Sequence, residues 1–349
     1  MSNVKKLLRY IPYWIGWNIH HKKNKPKIID FYCDNVTDFI CFKKVLTHFP
    51  EMRVIAKNPA VQAELKHYNI DALLYPSYPD VVIMCRHSAW RYPLPQITKI
   101  GMRHGPYHFK DFIKAEYYNE FDHFFFTSPT EASQAEALGI KQGVGPGFPK
   151  LDDAFDGTIT SSQLEDMKQK IGINSHLPTV IFSATWSENN YSAILKWYQK
   201  VSLLTKEYNV LVTVHEWTPQ AIKAELSKNE DIYYLEDKEV LPYLMLADVM
   251  IGDTSSIIAE FTALDKPVIT FRILAEKRLS NEIVQMLDEV TFRVDSFEEM
   301  QATLKQIFTN KQDIHKVKRA YYNEIMFGKL DGKASLRIRD EIKRIVTKQ

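Results

Sequence analysis

The chain alternates short apolar runs with longer stretches of helical spacing. The runs fall at 28–32, 54–56, 81–85, 100–102 and 124–127, and again at 180–183, 210–214, 248–251 and 268–271. Each is mainly apolar at consecutive positions rather than at every second one, Asp30 and Asp248 being the charged exceptions, the pattern of strands covered on both faces in a parallel sheet. The rhythm breaks once, at 143–157, where Gly-Val-Gly-Pro-Gly-Phe-Pro is followed by Asp152, Asp153 and Asp156, ahead of a polar helix expected over 161–170. The pattern predicts an α/β protein with two Rossmann-like domains facing a cleft, and places the boundary in that turn-rich stretch. The expected division is 1–155 for a first domain, 156–312 for a second and 313–349 for C-terminal helices.

Composition narrows the class. A chain of 349 residues with 45% hydrophobic and 12% aromatic content buries enough apolar surface to offset the entropy of ordering, which excludes disordered and collagen-like chains. The three cysteines, Cys33, Cys41 and Cys85, are odd in number and lack metal-ligand spacing, as expected of reduced thiols in a cytoplasmic protein. No apolar run is long enough to span a bilayer, and the N-terminus lacks the pattern of a signal peptide.

Charge changes the picture more. The net charge of +2 hides a segregation: residues 1–29 carry seven basic residues and no acid, and 311–349 carry eleven against five. The stretch between them has 27 basic and 38 acidic residues, a net of −11. In the first basic end, Leu7, Leu8, Ile11, Trp14 and Ile15 share one helical face, with Lys5, Lys6 and Arg9 near its start. Such a segment suits an interfacial anchor on anionic lipid, or a helix packed on the first domain and limited by Pro12. Nucleic-acid binding is disfavoured, because the acidic body repels phosphate backbones and no recognition motif is visible.

Ligands of doubly wound sheets lie beyond the carboxyl ends of the strands, so the residues following the apolar runs are the candidates for chemistry. After 100–102 comes Arg103-His104-Gly105-Pro106-Tyr107-His108, where His104 is either a general base near neutral pH or a loop histidine bonded to backbone; His108 is the weaker candidate. After 210–214 comes His215-Glu216-Trp217, a strand-end histidine that gains meaning only with a partner. After 248–251 comes Gly252-Asp253-Thr254-Ser255-Ser256, with Glu260 one helical turn on. Asp253 is placed to cap the following helix, whose N–H groups and hydroxyls suit a phosphate, and Glu260 either accepts from ribose hydroxyls or is a solvated helix residue. Thr185-Trp186 after 180–183 is either a polar loop with one packed tryptophan or a second candidate phosphate or acceptor loop. Lys150 in the turn Gly147-Phe148-Pro149-Lys150-Leu151-Asp152 is a candidate anion contact, and Asp331-Gly332-Lys333-Ala334-Ser335 reads as a turn and cap before the last helix.

Taken in order, these motifs resemble the CDP-glycerol glycerophosphotransferase family, the teichoic-acid-type polyol-phosphate transferases with a GT-B fold. His104-Gly105 is similar to the family's histidine–glycine element, Gly147 to Asp152 to its Gly-x-Pro-Arg-x-Asp, and Thr185-Trp186 to its Thr-Trp loop. His215 resembles its strand-end histidine, the 252–256 stretch its Thr-Asp-Tyr-Ser-Ser, and 331–335 its closing signature. Gly252 and Thr254 stand where the family usually has Thr and Tyr, Lys150 where it has Arg, and Glu216 where Pro follows the histidine.

The resemblance implies attack by an acceptor hydroxyl on the β-phosphorus of a CDP-polyol, releasing CMP. It implies His104 as base and His215 on the pyrophosphate, or the reverse. Arg103, Gly105, Lys150, Thr185, Trp186, Asp253, Thr254, Ser255, Ser256 and Glu260 are implied to hold substrate and nucleotide. No cofactor is required, and a divalent metal is compatible with the sequence but not indicated by it. The implied partners are CDP-glycerol or a related CDP-polyol, a glycopolymer or lipid-linked acceptor, and an anionic membrane surface on the cytoplasmic side. In GT-B enzymes the last helix commonly crosses back onto the N-terminal domain, which would join the two basic ends. A UDP-sugar glycosyltransferase or epimerase is the competing reading, since a serine-rich helix start and a glutamate for ribose serve those as well.

Overall fold

The computed structural model describes residues 3–21, 26–106, 114–185, 192–273, 276, 279–310 and 313–347, with side chains from residue 10 onward. The chain forms two compact units. The first comprises Met1–Gly105, Ile113–Asp152 and Phe327–Gln349; the second comprises Pro106–Phe112 and Asp153–Met326.

The first unit is built on a seven-stranded parallel sheet in the order β3-β2-β1-β4-β5-β6-β7. Its strands are β1 Ile29–Cys33, β2 Arg53–Ala56, β3 Leu73–Leu74, β4 Val81–Met84, β5 Thr98–Met102, β6 His123–Phe125 and β7 Gly143–Val144. Apolar side chains on both faces explain the runs: β1 and β4 are buried at every position. Phe31 on β1 stacks at 4.3 Å on Phe42 of the helix Val36–Leu46, and Tyr118, Phe124 and Phe126 form a second aromatic group under β6. Cys33, Cys41 and Cys85 are all buried free thiols.

The second unit holds a six-stranded parallel sheet ordered β10-β9-β8-β11-β12-β13. Its strands are β8 Thr179–Ala184, β9 Asn209–Val214, β10 Tyr233–Tyr234, β11 Val249–Gly252, β12 Val268–Phe271 and β13 Phe292–Val294. Trp197, fully buried, packs on Phe182 at the centre of its core. In each sheet the strand order reverses beside the first strand, between β1 and β4 and between β8 and β11. Chain segments leaving such a pair diverge to opposite faces and open a crevice at the strands' carboxyl ends.

The C-terminal helix Ala334–Thr347 lies in the first unit and packs on Val36–Leu46. Its start is held from far away in sequence. Both carboxylate oxygens of the buried Asp152 accept from the first amides of the helix, Ala334 N at 3.0 Å and Ser335 N at 2.7 Å. Gly147 sits at φ +112°, where a β-carbon would come within 2.8 Å of Ala334 Cβ. The stretch read as a turn therefore clamps the last helix. Removing a buried acceptor strands two N–H groups, so Asp152→Ala should cost about 1–3 kcal/mol. Urea unfolding would measure the loss, and faster hydrogen exchange at Ala334 and Ser335 would locate it.

The N-terminal helix Asn3–His20 packs on the first unit through Tyr13, whose hydroxyl donates to Ser77 O, and Trp17, whose indole donates to Pro79 O at 3.0 Å. Gly16 permits contact with Tyr78, and the imidazole of His21 lies 3.1 Å from Asp80. The opposite face is apolar and open: Ile11 is 50% exposed, Trp14 and Ile15 47% each, and Ile19 68%. Lys27 Nζ reaches Val346 O at 2.6 Å, bringing the two basic ends together. Among the described residues, no helix is long and apolar enough to cross a membrane.

Candidate active site

In the second unit the site forms where β8 and β11 diverge. Asp253 is fully buried, and its carboxylate gathers backbone amides from three segments. It accepts from Thr185 N at 3.0 Å, Ala193 N at 3.0 Å, Thr254 N at 2.6 Å and Ser255 N at 3.3 Å, with Ser192 Oγ at 3.4 Å. Burial pushes its pKa up against these N–H donors, which pull it down. The sequence reading of Asp253 as a helix cap is corrected in part: it does bind the amides just after it, but it mainly ties the loop after β8 to the loop after β11. The helix Ile257–Ala263 begins at Ser256 with no side-chain cap.

Around this carboxylate, Thr254 is buried while Ser255 and Ser256 are half-buried. Glu260 is only 3% exposed, so the solvated alternative for it does not hold. Gly252 is required by close packing, since a β-carbon would lie 2.6 Å from Ile258 Cδ1 and 3.3 Å from Ser183 O. Thr185 follows β8 directly; Trp186 and His108 lie outside the described residues.

His215 follows β9. Its Nδ1 accepts from Trp217 N at 3.1 Å, and the indole of Trp217 stands edge-on at 5.2 Å. An accepting Nδ1 puts the ring proton on Nε2 and makes that atom a donor.

In the first unit His104 follows β5. Its Nδ1 faces the carbonyl of Cys85 at 3.5 Å, a long contact that favours the ring proton on Nδ1 and the lone pair on Nε2. Burial, then Arg86 and Arg103, hold its pKa well below that of ordinary histidine, with Lys150 acting in the same direction. The sequence-based expectation of a pKa near 6.5 is thus corrected. The same cations raise the local potential to one that suits a phosphate.

Arg103 approaches His87 at 3.3 Å and keeps its buried Nε without a hydrogen-bond partner among the described residues. Gly105 is buried beside them, as is Lys150 in the 3₁₀ turn Pro149–Leu151. Sequence reasoning missed Arg86. It sits just past β4, with Nε 2.9 Å from Asp38 Oδ1. Asp38 is itself fully buried, accepts from the amides of Asp34 and Asn35, and is pushed up to about 6, chiefly by burial. The signal available was the position of Arg86 directly after the apolar run 81–85.

Both sheets thus carry polar loops at the carboxyl ends of their strands, and known proteins place this arrangement. Residues 102–344 match the profile of CDP-Glycerol:Poly(glycerophosphate) glycerophosphotransferases. The chain belongs to that family. Among curated relatives, it is 22% identical over 203 residues to the teichoic acid ribitol-phosphate polymerase TarK of Staphylococcus aureus, covering 54% of this chain and 38% of that one. It is 24% identical over 225 residues to the teichoic acid poly(ribitol-phosphate) polymerase of Bacillus spizizenii, covering 60% and 35%. The chain therefore spans little more than a third of the length of these relatives. In fold it is similar to the wall teichoic acid polymerase TagF, with a TM-score of 0.72 at 15% identity over 100% of both chains. It is also similar to a putative UDP-N-acetylglucosamine 2-epimerase of Listeria monocytogenes, at 0.64 and 13%, over 93% of this chain and 98% of that one. The GT-B fold expected of this glycerophosphotransferase family member is the one found.

Proposed function

We propose that the protein transfers glycerol phosphate, or a related polyol phosphate, from a CDP-polyol to a hydroxyl of a cell-surface glycopolymer or lipid-linked acceptor, releasing CMP. The carrying observation is the Asp253 carboxylate, which fixes the Thr185 loop against Thr254 and Ser255 at the crevice of the second sheet. Ser255 and Ser256 then hold the pyrophosphate and Glu260 the ribose. Family membership supports the CDP-linked donor, and a related TagF structure was obtained with CDPG.

The step forms one P–O bond and breaks one. The acceptor oxygen attacks the β-phosphorus, the bond to the CMP oxygen breaks, and the hydroxyl proton passes to Nε2 of His104. His215 Nε2–H donates to a phosphate oxygen as charge builds on the departing CMP, with Arg103 and Lys150 adding positive potential. The Nδ1 contacts support this division of roles: His104 Nδ1 toward a carbonyl favours a lone pair on Nε2, and His215 Nδ1 accepting from Trp217 N favours a proton there. Catalysis by positioning and charge needs no covalent intermediate.

A panel of CDP-glycerol, CDP-ribitol and UDP-sugars tests the reading. CMP release from a CDP-polyol, dependent on acceptor, is expected; release of UDP alone would support the epimerase or glycosyltransferase alternative.

The same reading places the enzyme on the cytoplasmic face of the membrane. The open apolar face of the N-terminal helix, beside two basic chain ends, supports it. Sedimentation with anionic vesicles should weaken with salt and fall at least tenfold in Trp14→Glu; equal sedimentation of that variant would contradict the placement.

A further inference from the structure

A cavity of about 420 Å³ lies wholly within the first unit, at the carboxyl ends of its strands. This volume falls within the roughly 300–1,000 Å³ of small-molecule sites. Tyr75 and Tyr78, after β3, form part of its wall; Trp90 and Arg91, in the 3₁₀ turn after β4, form another; Pro12 and Tyr13 of the N-terminal helix close it. The wall is braced: Tyr75 donates its hydroxyl to Arg91 O at 2.8 Å, and Tyr13 is anchored on Ser77.

Among the described residues, Arg91 is the only cation in this lining. Its guanidinium carbon lies 4.5 Å from the ring centre of Trp90, 5.3 Å from Tyr75 and 5.5 Å from Tyr32. Three rings fix the plane of the guanidinium but cannot accept its in-plane N–H groups. Its Nε is buried and has no hydrogen-bond partner among the described residues. A planar guanidinium fork matches the oxygens of a phosphate. Trp90, 43% exposed, offers a flat apolar face beside it. A neutral sugar would leave the guanidinium unpaired, and inorganic phosphate would leave the aromatic wall wet.

We infer that this cavity is a subsite for a hydroxylated six-membered ring carrying a phosphate, the ring against Trp90 and the phosphate on Arg91. The inference rests on the proposed transfer to a glycopolymer or lipid-linked acceptor, and names where the first unit would hold a phosphate-bearing ring of it. Two sources fit this chemistry, a solute or a lipid headgroup, since the helix that closes the cavity also carries the exposed Ile11, Trp14 and Ile15.

The test is a saturation-transfer NMR titration of the full chain with glucose 1-phosphate, glucose and inorganic phosphate, repeated on Trp90→Ala and Arg91→Gln. It is paired with sedimentation on phosphatidylinositol vesicles and on phosphatidylglycerol vesicles of equal charge. Glucose 1-phosphate binding at least tenfold tighter than either half, and weakened at least tenfold in both variants, supports a soluble source. A preference for phosphatidylinositol that disappears in Arg91→Gln supports a lipid source. Sugar-phosphate and vesicle binding unchanged in folded variants, or no binding in either format, overturns the subsite. CDP-glycerol affinity is measured alongside and should stay unchanged in both variants; its absence in the wild-type chain would count against the transfer reading and not against the subsite.

Discussion

Replacing His104 with alanine should lower the turnover number for transfer by roughly 10²–10⁴-fold, the usual contribution of a positioned base, while leaving CDP-glycerol affinity within about twofold. The affinity is spared because the proposed nucleotide contacts, from Ser255, Ser256 and Glu260, belong to the second unit. The pH profile adds a signature that a merely structural histidine would not give. Because burial and the Arg86 and Arg103 charges hold His104 neutral, kcat/KM should stay flat down through pH 6.5 and fall only at more acidic pH. The acid limb of kcat should lie higher than that of kcat/KM, since a bound anionic donor offsets those cations and makes protonation easier. Near-normal turnover in His104→Ala, or an acid limb unmoved by that substitution, would remove His104 as base.

Asp253→Ala should be the most damaging substitution in the second unit. It deletes the acceptor of Thr185 N, Ala193 N and Thr254 N in a fully buried place, where each stranded donor costs on the order of 1–3 kcal/mol. Relaxation and water entry recover part of this, so a net loss of about 3–5 kcal/mol is expected in chemical denaturation. CDP binding should fall more than tenfold, because the loops lose their mutual anchor. Asp253→Asn keeps the shape but turns an amide toward N–H groups, and should be nearly as harmful. Ser256→Ala, which leaves the scaffold intact, should weaken CDP binding with little change in stability. Equal stability of Asp253→Ala and the parent would show that the carboxylate does not organise the loops.

The particular residues show what a sequence can and cannot reveal. All nine apolar runs became strands, because burial on both faces leaves a dense local signal. The strands at 73–74, 143–144, 233–234 and 292–294 did not stand out, being edge or near-edge segments too short for any periodicity. Candidate site residues were legible wherever they followed a run. Their partners were not: Asp253 meets Thr185 across 68 positions, Arg86 meets Asp38 across 48, and Asp152 meets Ser335 across 183. Such pairings are set by sheet order, which no local pattern encodes. The Nδ1 partner of His104 was equally hidden, since only the fold brings the Cys85 carbonyl into reach, whereas that of His215 is the amide two residues on. For the N-terminal helix the two alternatives concern different faces of one element: Tyr13 and Trp17 pack inward while Ile11, Trp14 and Ile15 remain open.

The central claim is transfer of a polyol phosphate with cleavage at the β-phosphorus, and phosphorus NMR of the reaction follows that atom directly. Incubation of the chain with CDP-glycerol and a phosphate-bearing glycan acceptor should convert the β-phosphorus signal to that of a phosphodiester, in step with one equivalent of CMP. Consumption of a UDP-sugar with CDP-glycerol untouched, or a β-phosphorus ending as free glycerol phosphate whether or not acceptor is present, would contradict the account.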